Sequence, residues 1–169
     1  MNAVLAAWNA ASEAEAIEAM LACCGARRWA VAMVARRPIA DAIGLSAAAD
    51  LEWSRMGESD WLEAFACHPR IGERKAAHAS AKSAAWSRQE QGSTALAEES
   101  ILAEIAEGNG QYEHRFGFTY IVCATGRSAD EMLTILQRRL TNDRAAELLE
   151  AAGQQRQILH IRLGKWLVE

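Results

Sequence analysis

The nine residues FGFTYIVCA, at positions 116–124, decide which fold class the sequence predicts. They form the only stretch of the chain that is rich in aromatic and β-branched side chains, and taken alone they predict a buried β-strand. A single strand, however, has no neighbour with which to pair its backbone N–H and C=O groups. We therefore predict that residues 116–125 form a buried irregular segment rather than part of a sheet.

The sequence on both sides of this segment favours α-helix. Alanine occurs 36 times, whereas valine, isoleucine and threonine together occur 20 times. Ser12 with Glu15, and Ser128 with Glu131, have the S-x-x-E spacing of a capping box, which marks the first turn of a helix. We predict an all-α fold, a compact multi-helix bundle in which residues 1–169 form a single domain.

Other residues predict where individual helices begin and end. Ser59 and Asn142 are expected to cap helices, because their side chains can accept a hydrogen bond from a backbone N–H group of the first turn. A further helix is expected over residues 87–107, until Gly108 and Gly110 interrupt it.

Charge and composition exclude several classes of function. The chain has 18 Lys and Arg residues against 22 Asp and Glu, and a net charge of -4 offers no basic surface to a nucleic-acid backbone. No apolar run approaches the roughly 20 residues of a membrane span, and the N-terminus lacks the pattern of a signal peptide. The four cysteines have neither zinc-site nor disulfide-framework spacing. We expect a cytoplasmic protein that binds neither nucleic acid nor membrane.

His68 is the leading candidate for an acid or a base. It stands where a predicted helix gives way to a loop that runs to Ser87, and Pro69 ends the helix at that point. The C-terminal end of a helix favours the charged form of an imidazole. The alternative is an ordinary surface or capping histidine, and three other histidines compete with it: His78, His114 and His160.

The segment SRQEQ, at residues 87–91, is the second candidate. At the start of a helix it would present a hydroxyl, a carboxylate and an amide beside free backbone N–H groups, which suits a polar ligand. The same residues can form a plain capping box, because Ser87 and Glu90 also have the S-x-x-E spacing. The two interpretations are compatible, since a cap can fix the helix end that a ligand then uses.

Metal binding has little support in the sequence. His68, Glu73 and His78 lack the spacing of an HExxH zinc site, and no second cluster completes a coordination sphere. Gly-rich phosphate loops, GxSxG elbows and dinucleotide fingerprints are also missing from the sequence. We expect no metal ion to take part in the function.

Three segments taken together resemble one enzyme family: HPRIGE at 68–73, SRQEQ at 87–91 and YEHRFGFTYIVCATGRS at 112–128. Their order and spacing are similar to those of the 2-oxo-4-hydroxy-4-carboxy-5-ureidoimidazoline (OHCU) decarboxylases, which catalyse the third step in the conversion of urate to allantoin. The resemblance covers nearly the whole chain, since it extends to Trp29, Arg37, Pro38, RRLTND at 138–143 and Arg162.

The resemblance implies an all-helical, commonly dimeric enzyme that needs no cofactor and acts on a small ureido-imidazoline. Carried onto the matching positions, it implies that His68 is the catalytic histidine and Glu90 its acidic partner. It also implies a substrate pocket lined by Pro69, by Ser87, Arg88, Gln89, Glu90 and Gln91, and by the backbone of Tyr120, Ile121, Val122, Cys123 and Ala124. Two residues beside that pocket depart from the family pattern: Thr119, where proline is common, and Tyr120, where phenylalanine is common.

The chemistry of this substrate explains why no cofactor would be needed. Its carboxylate is lost from a carbon next to a C=N bond, which accepts the electrons that pyridoxal or thiamine would otherwise take. The protein must bind the amides and deliver a proton to one face of the intermediate, a task that suits histidine with its unperturbed pKa of about 6.5. The expected product is (S)-allantoin. Two other interpretations stay open: a non-catalytic helical binding or interaction module, and a relative that acts on another ureido acid.

Overall fold

The computed structural model describes residues 2–72, 80–92 and 99–169. Glu73 and His78 lie outside these described residues. Within them the chain forms nine α-helices and no β-strand, which confirms the all-α prediction, and no helix there is long and apolar enough to span a membrane. In chain order the helices are α1 (Ala3–Ala10), α2 (Glu13–Cys23), α3 (Arg27–Val34), α4 (Ala42–Trp53), α5 (Glu58–Ala66), α6 (Ala81–Glu90), α7 (Glu99–Phe116), α8 (Ala129–Arg139) and α9 (Arg144–Trp166).

Contacts between residues divide the chain into two compact units, and the boundaries fall inside α5 and inside α9. The first unit consists of Met1–Ala64 and Arg156–Glu169, and the second of Phe65–Gln155. Both His68 and Glu90 belong to the second unit, as does the whole irregular segment. That the chain forms one domain stays a prediction.

Two buried tryptophans join neighbouring helices in the first unit. The indole N–H of Trp8 in α1 donates to the carbonyl of Ala16 in α2 at 3.0 Å, and that of Trp29 in α3 donates to the carbonyl of Ala49 in α4 at 3.3 Å. Each side chain therefore buries a large aromatic surface without leaving its N–H donor unpaired.

Arg37, one of the residues that carry the family resemblance, has a structural role. Its Nη1 atom donates to the carbonyls of Trp8 and Ala11, each at 2.8 Å, and its guanidinium lies over the Trp8 ring. The last carbonyls of a helix lack partners within the helix, and a positive charge near that end is favourable. Arg37 therefore caps the C-terminal end of α1.

The capping boxes predicted at Ser12 and Ser128 are both present. The hydroxyls of Ser12 and Ser128 accept the backbone N–H groups of Glu15 and Glu131, and each glutamate carboxylate accepts the N–H of its serine. Hydrogen bonds from the side chain and the backbone of Ser12 lower the pKa of Glu15. These two helix starts are confirmed because a capping box is a local interaction that the sequence shows directly.

Two predicted caps are displaced along the chain. A cap at Ser59 would start its helix at Asp60, but α5 begins two residues earlier, at Glu58. The last helix is capped by Asp143 rather than by Asn142, because the Asp143 carboxylate accepts the N–H of Ala146 at 2.8 Å. Asn and Asp cap helices about equally well, so the sequence alone does not choose between adjacent candidates.

Helix α7 continues through Gly108 and Gly110, so the predicted interruption there is wrong. A Cβ atom on Gly108 would lie 2.6 Å from Cδ2 of Leu136 in α8, a distance that no real contact allows. Glycine in a helix interior costs roughly 0.5–1 kcal/mol relative to alanine, and here it permits the close approach of α7 and α8. The sequence does not distinguish a glycine that ends a helix from one that admits a neighbouring helix.

Candidate functional site

His68 lies just beyond the end of α5. Helix α5 ends at Ala66 rather than at His68, and the N–H of His68 donates to the carbonyl of Phe65 at 3.0 Å. The His68 side chain is half-buried, and the loop residues Pro69 and Ile71 are buried. The histidine is therefore held at a helix end, beside buried residues.

The SRQEQ segment occupies the last turn of a helix and not the first. Helix α6 begins directly after Ser80, whose hydroxyl accepts the N–H of Ser83 at 3.1 Å. Ser87 lies inside α6 and is 2% exposed, so the predicted capping box of Ser87 and Glu90 is wrong. The predicted ligand site on free N–H groups at this position is wrong for the same reason, because an S-x-x-E spacing does not define which end of a helix it occupies.

The side chains of this turn divide into two groups by exposure. Ser87 is buried, Glu90 and Gln91 are half-buried, and Arg88 and Gln89 are exposed. With 3.6 residues per turn, Ser87, Glu90 and Gln91 lie on the same side of α6. The Ser87 hydroxyl, the Glu90 carboxylate and the Gln91 amide are therefore the less exposed polar groups of this turn.

Two interactions connect the three predicted segments. The side-chain oxygen of Gln91 accepts the N–H of Gly72 at 2.9 Å, which joins the end of α6 to the loop after His68. Nε of Arg70, in the same loop, donates to Oε1 of Glu113 at 2.7 Å, which joins HPRIGE to the segment at 112–128. Within that segment, burial raises the pKa of the Cys123 thiol.

The irregular segment predicted at residues 116–125 is present between α7 and α8, but Phe116 belongs to α7, and Gly117 and Thr125 are exposed. Residues 120–124 are all buried, and two of their backbone groups find side-chain partners on α8 and α9. Nη1 of Arg139 donates to the carbonyl of Ile121 at 2.6 Å, and the side-chain oxygen of Gln154 accepts the N–H of Cys123 at 2.9 Å. These two side chains supply hydrogen bonds that neighbouring strands would supply in a sheet.

Arg139 belongs to a buried polar network that was not predicted from the sequence. Arg139 and Glu147 are both 0% exposed and are joined through Nε at 2.8 Å, and the Tyr112 hydroxyl also donates to Glu147. Burial raises the pKa values of Tyr112 and Tyr120, so both hydroxyls stay protonated. Arg139 lies in the RRLTND segment at 138–143, but the burial of its side chain depends on Tyr112 of α7 and Glu147 of α9, which lie outside that segment.

The hydroxyl of Tyr120, absent from the more common phenylalanine, is satisfied within the protein. It donates to the carbonyl of Met132 in α8 at 3.2 Å, and the ring packs edge-on against Tyr112 with centroids 5.2 Å apart. The Cζ atom of Arg139 lies 4.9 Å from the centre of the Tyr120 ring. This departure from the family pattern therefore anchors the segment to α8.

The competing histidines have different surroundings. His160 lies in the first unit, with Nδ1 3.2 Å from the Ser46 hydroxyl and Nε2 2.6 Å from the Asp50 carboxylate. His114 is exposed on α7. In the part of the chain that the structure describes, no three His, Cys, Asp or Glu side chains form a group that could hold a metal. That the protein works without a metal stays a prediction.

Comparison with known proteins supports the resemblance. Residues 9–164 match the family model of OHCU decarboxylase. The chain is 38% identical over 145 residues to the uric acid degradation bifunctional protein TTL of Arabidopsis thaliana, covering 85% of this chain and 44% of that protein. It is 30% identical over 97 residues to the OHCU decarboxylase of Amia calva, covering 57% of this chain and 55% of that protein. This chain spans about half the length of these relatives.

Two solved structures have a similar fold. A crystal structure of OHCU decarboxylase in the presence of (S)-allantoin has a TM-score of 0.76 and 31% identity, covering 88% of this chain and 96% of that one. A crystal structure of (S)-allantoin synthase has a TM-score of 0.70 at 17% identity, covering 96% of this chain and 53% of that one, and supports the fold alone. Because the family model matches residues 9–164 of this chain, the chain belongs to the OHCU decarboxylase family.

Proposed function

We propose that this protein catalyses the cofactor-independent decarboxylation of OHCU to (S)-allantoin in urate degradation. Family membership supports the reaction class, and the similar relative from Amia calva is named for this activity. The observation that carries the proposal is the connection of the three family segments. Gln91 of SRQEQ holds Gly72 in the loop after His68, and Arg70 of that loop pairs with Glu113 of the segment at 112–128.

His68 is proposed to deliver the proton that completes the reaction. When the carboxylate leaves as carbon dioxide, its bonding electrons pass toward the adjacent C=N bond and give an enol-like intermediate. One proton must then be added to carbon, and an imidazolium can supply it near neutral pH. Delivery from one fixed side produces a single enantiomer, which agrees with a product of S configuration.

Glu90 is proposed to orient the substrate by accepting its N–H groups. A carboxylate is an acceptor only, so it suits the ureido and ring amides of this substrate. The backbone of residues 120–124 is proposed to bind the ring, together with Pro69 and the Ser87–Gln91 turn. The side chains of Arg88 and Gln89 are exposed, which leaves the backbone of that turn as their contribution.

We also propose that the protein acts as a cytoplasmic homodimer. Support for the dimer comes from exposed apolar side chains on α3 and α4, which a second copy of the chain could cover: Val31, Ile43 and Leu51. The cysteine spacing in the sequence lacks a disulfide framework, which agrees with a reducing compartment. A monomeric mass from light scattering at micromolar concentration would contradict the dimer.

The decisive experiment supplies OHCU freshly generated by enzymatic oxidation of urate, after exhaustive chelation of the protein. Ultraviolet absorbance follows the loss of substrate, and circular dichroism follows the handedness of the product. The protein is expected to accelerate decay and to give one allantoin enantiomer, whereas uncatalysed decay gives a racemic product. A non-catalytic binding module would leave both signals at their uncatalysed values.

Two variants test the assigned roles in the same assay. His68→Asn is expected to lower turnover about 10²–10⁴-fold, the usual contribution of general acid–base catalysis, and to reduce the optical purity of the product. Glu90→Gln keeps the size of the side chain and removes its charge, so turnover should fall while the melting temperature stays close to that of the wild type. Glu104→Gln, at an exposed position on α7, is the control for loss of a carboxylate.

Normal turnover with an optically pure product from His68→Asn would assign the proton to another group. A Glu90→Gln variant that melted early yet kept full specific activity would assign Glu90 a structural role only.

A further inference from the structure

The loop that follows His68 is attached to α7 by an ion pair. Arg70 donates twice to the carboxylate of Glu113, from Nε to Oε1 at 2.7 Å and from Nη2 to Oε2 at 2.5 Å. This paired arrangement matches the planar guanidinium to the planar carboxylate and fixes the direction of the contact as well as its distance. The backbone of Arg70, two residues from His68, is therefore held at a defined position on α7.

The next residue of the loop is attached to the same helix. Asn109 is 2% exposed, and its Nδ2 atom donates to the carbonyl of Ile71 at 3.2 Å. Asn109 and Glu113 are one helical turn apart, so both lie on the same side of α7. Gly72 then donates its N–H to Gln91 of α6, which gives each residue from 70 to 72 one fixed contact.

Helix α7 also supports the irregular segment. Tyr112, adjacent to Glu113 in the sequence, donates its hydroxyl to Glu147, and Glu147 holds the guanidinium that donates to Ile121. One helix thus supports the loop of His68 on one side and the segment proposed to bind the substrate ring on another. Any shift of the loop on α7 changes the position of His68 relative to that segment.

We propose that Glu113 is a positioning residue for His68, acting through Arg70, with Asn109 as a second attachment of the same loop. This inference rests on the proposed function, because it assigns a consequence for proton delivery. Glu113 acts through the loop backbone, so its loss should change the chemical step more than substrate binding. A misplacement of about 1 Å at a reacting group can lower a rate about 10²-fold.

The test compares Arg70→Ala and Glu113→Ala with Arg138→Ala. Arg138 is a matched control, because it also forms a two-point ion pair, with Glu150, and the arginine side chains of the two pairs are 45% and 56% exposed. Both Arg70→Ala and Glu113→Ala are expected to lower kcat by roughly 10- to 100-fold with KM unchanged. Arg138→Ala is expected to keep the wild-type kcat, and all three variants should melt at similar temperatures.

The charge-reversed double variant R70E/E113R separates positioning from direct contact with substrate. It rebuilds the ion pair with opposite polarity and is expected to recover most of the lost kcat. Amide hydrogen exchange at Ile71 and Gly72 gives a readout that does not depend on activity. Exchange should be faster in the single variants, should return toward the wild-type rate in the double variant, and should be unchanged in Arg138→Ala.

Failure of the proposed function and failure of this inference give different results. A wild-type protein that does not accelerate OHCU decay contradicts the proposed function, whatever the exchange rates are. With an active wild type, the inference is overturned if Glu113→Ala keeps the wild-type kcat. It is equally overturned if the double variant leaves kcat as low as in the single variants, because that result would assign direct contact with the substrate.

Discussion

Replacing Glu147 by glutamine is expected to remove a large part of the folding free energy. Glu147 and Arg139 are both 0% exposed, and one carboxylate oxygen accepts two N–H groups of the guanidinium as well as the Tyr112 hydroxyl. Glutamine keeps the size of the side chain and removes the charge, so the buried guanidinium loses its nearest carboxylate and keeps only the longer contact with Glu150, at 3.8 Å. Breaking a buried pair in this way typically costs about 3–5 kcal/mol, out of a total stability of about 5–15 kcal/mol.

Urea denaturation followed by tryptophan fluorescence and circular dichroism measures this loss directly. The melting temperature should fall by roughly 6–20 °C, since 1 kcal/mol corresponds to about 2–4 °C in a chain of this size. Arg138→Ala serves as control, because its ion pair with Glu150 is exposed and is worth only about 0–1 kcal/mol.

A double replacement separates the loss of charge from the loss of the network. Arg139→Met combined with Glu147→Leu should be less destabilised than Glu147→Gln alone, because no charge remains buried. The reasoning would be refuted if Glu147→Gln unfolded within about 1 kcal/mol of the wild type, as a surface pair would.

Two further predictions concern packing and pH. Gly108→Ala should destabilise the protein by about 1–3 kcal/mol, because the new methyl group would overlap with Leu136. Gly110→Ala should instead stabilise α7 by about 0.5–1 kcal/mol, since its methyl group would meet nothing within 4 Å. Equal shifts in the melting temperatures of the two variants would contradict the contact between α7 and α8. Hydrogen bonding to Arg156 lowers the pKa of Asp50 to about 2, below the value of about 3.9 expected in the unfolded chain. The folded protein therefore binds fewer protons, and this contribution to stability is present above about pH 4 and lost as the pH falls toward 2. Urea midpoints measured from pH 5 to pH 2.5 should drop less for Asp50→Asn than for the wild type.

Local signals account for the parts of the fold that the sequence predicted correctly. The capping boxes at Ser12 and Ser128 depend on residues three positions apart, so the sequence contains the whole interaction. The irregular segment was predictable because a lone apolar run cannot satisfy its backbone as a strand. The same S-x-x-E spacing failed at Ser87, since it recurred in the last turn of a helix that begins after Ser80.

The candidate site also divides into residues that a local sequence motif indicates and residues that only the fold reveals. The roles proposed for His68 and Glu90 follow from segments that are contiguous in the sequence, so they can be proposed from motif similarity alone. Arg139 and Asn109 could not be assigned in this way, because their roles come from burial against helices that the sequence does not place. Polar residues in a helix ordinarily indicate a solvated face, and only the fold identifies those that hold a loop or a carbonyl.

The buried charge at Arg139 has a physical explanation in the irregular segment that it supports. An apolar pair in place of Arg139 and Glu147 would fill the same space without the cost of desolvating two ions. It could not, however, donate a hydrogen bond to the carbonyl of Ile121, which has no strand neighbour to do so. The arginine thus lets an all-helical protein keep irregular backbone in its interior, and that backbone is the part proposed to bind the substrate ring. For this reason the double variant of Arg139 and Glu147 is expected to fold well and still lose turnover, with the deficit appearing in KM as the segment loses its fixed position.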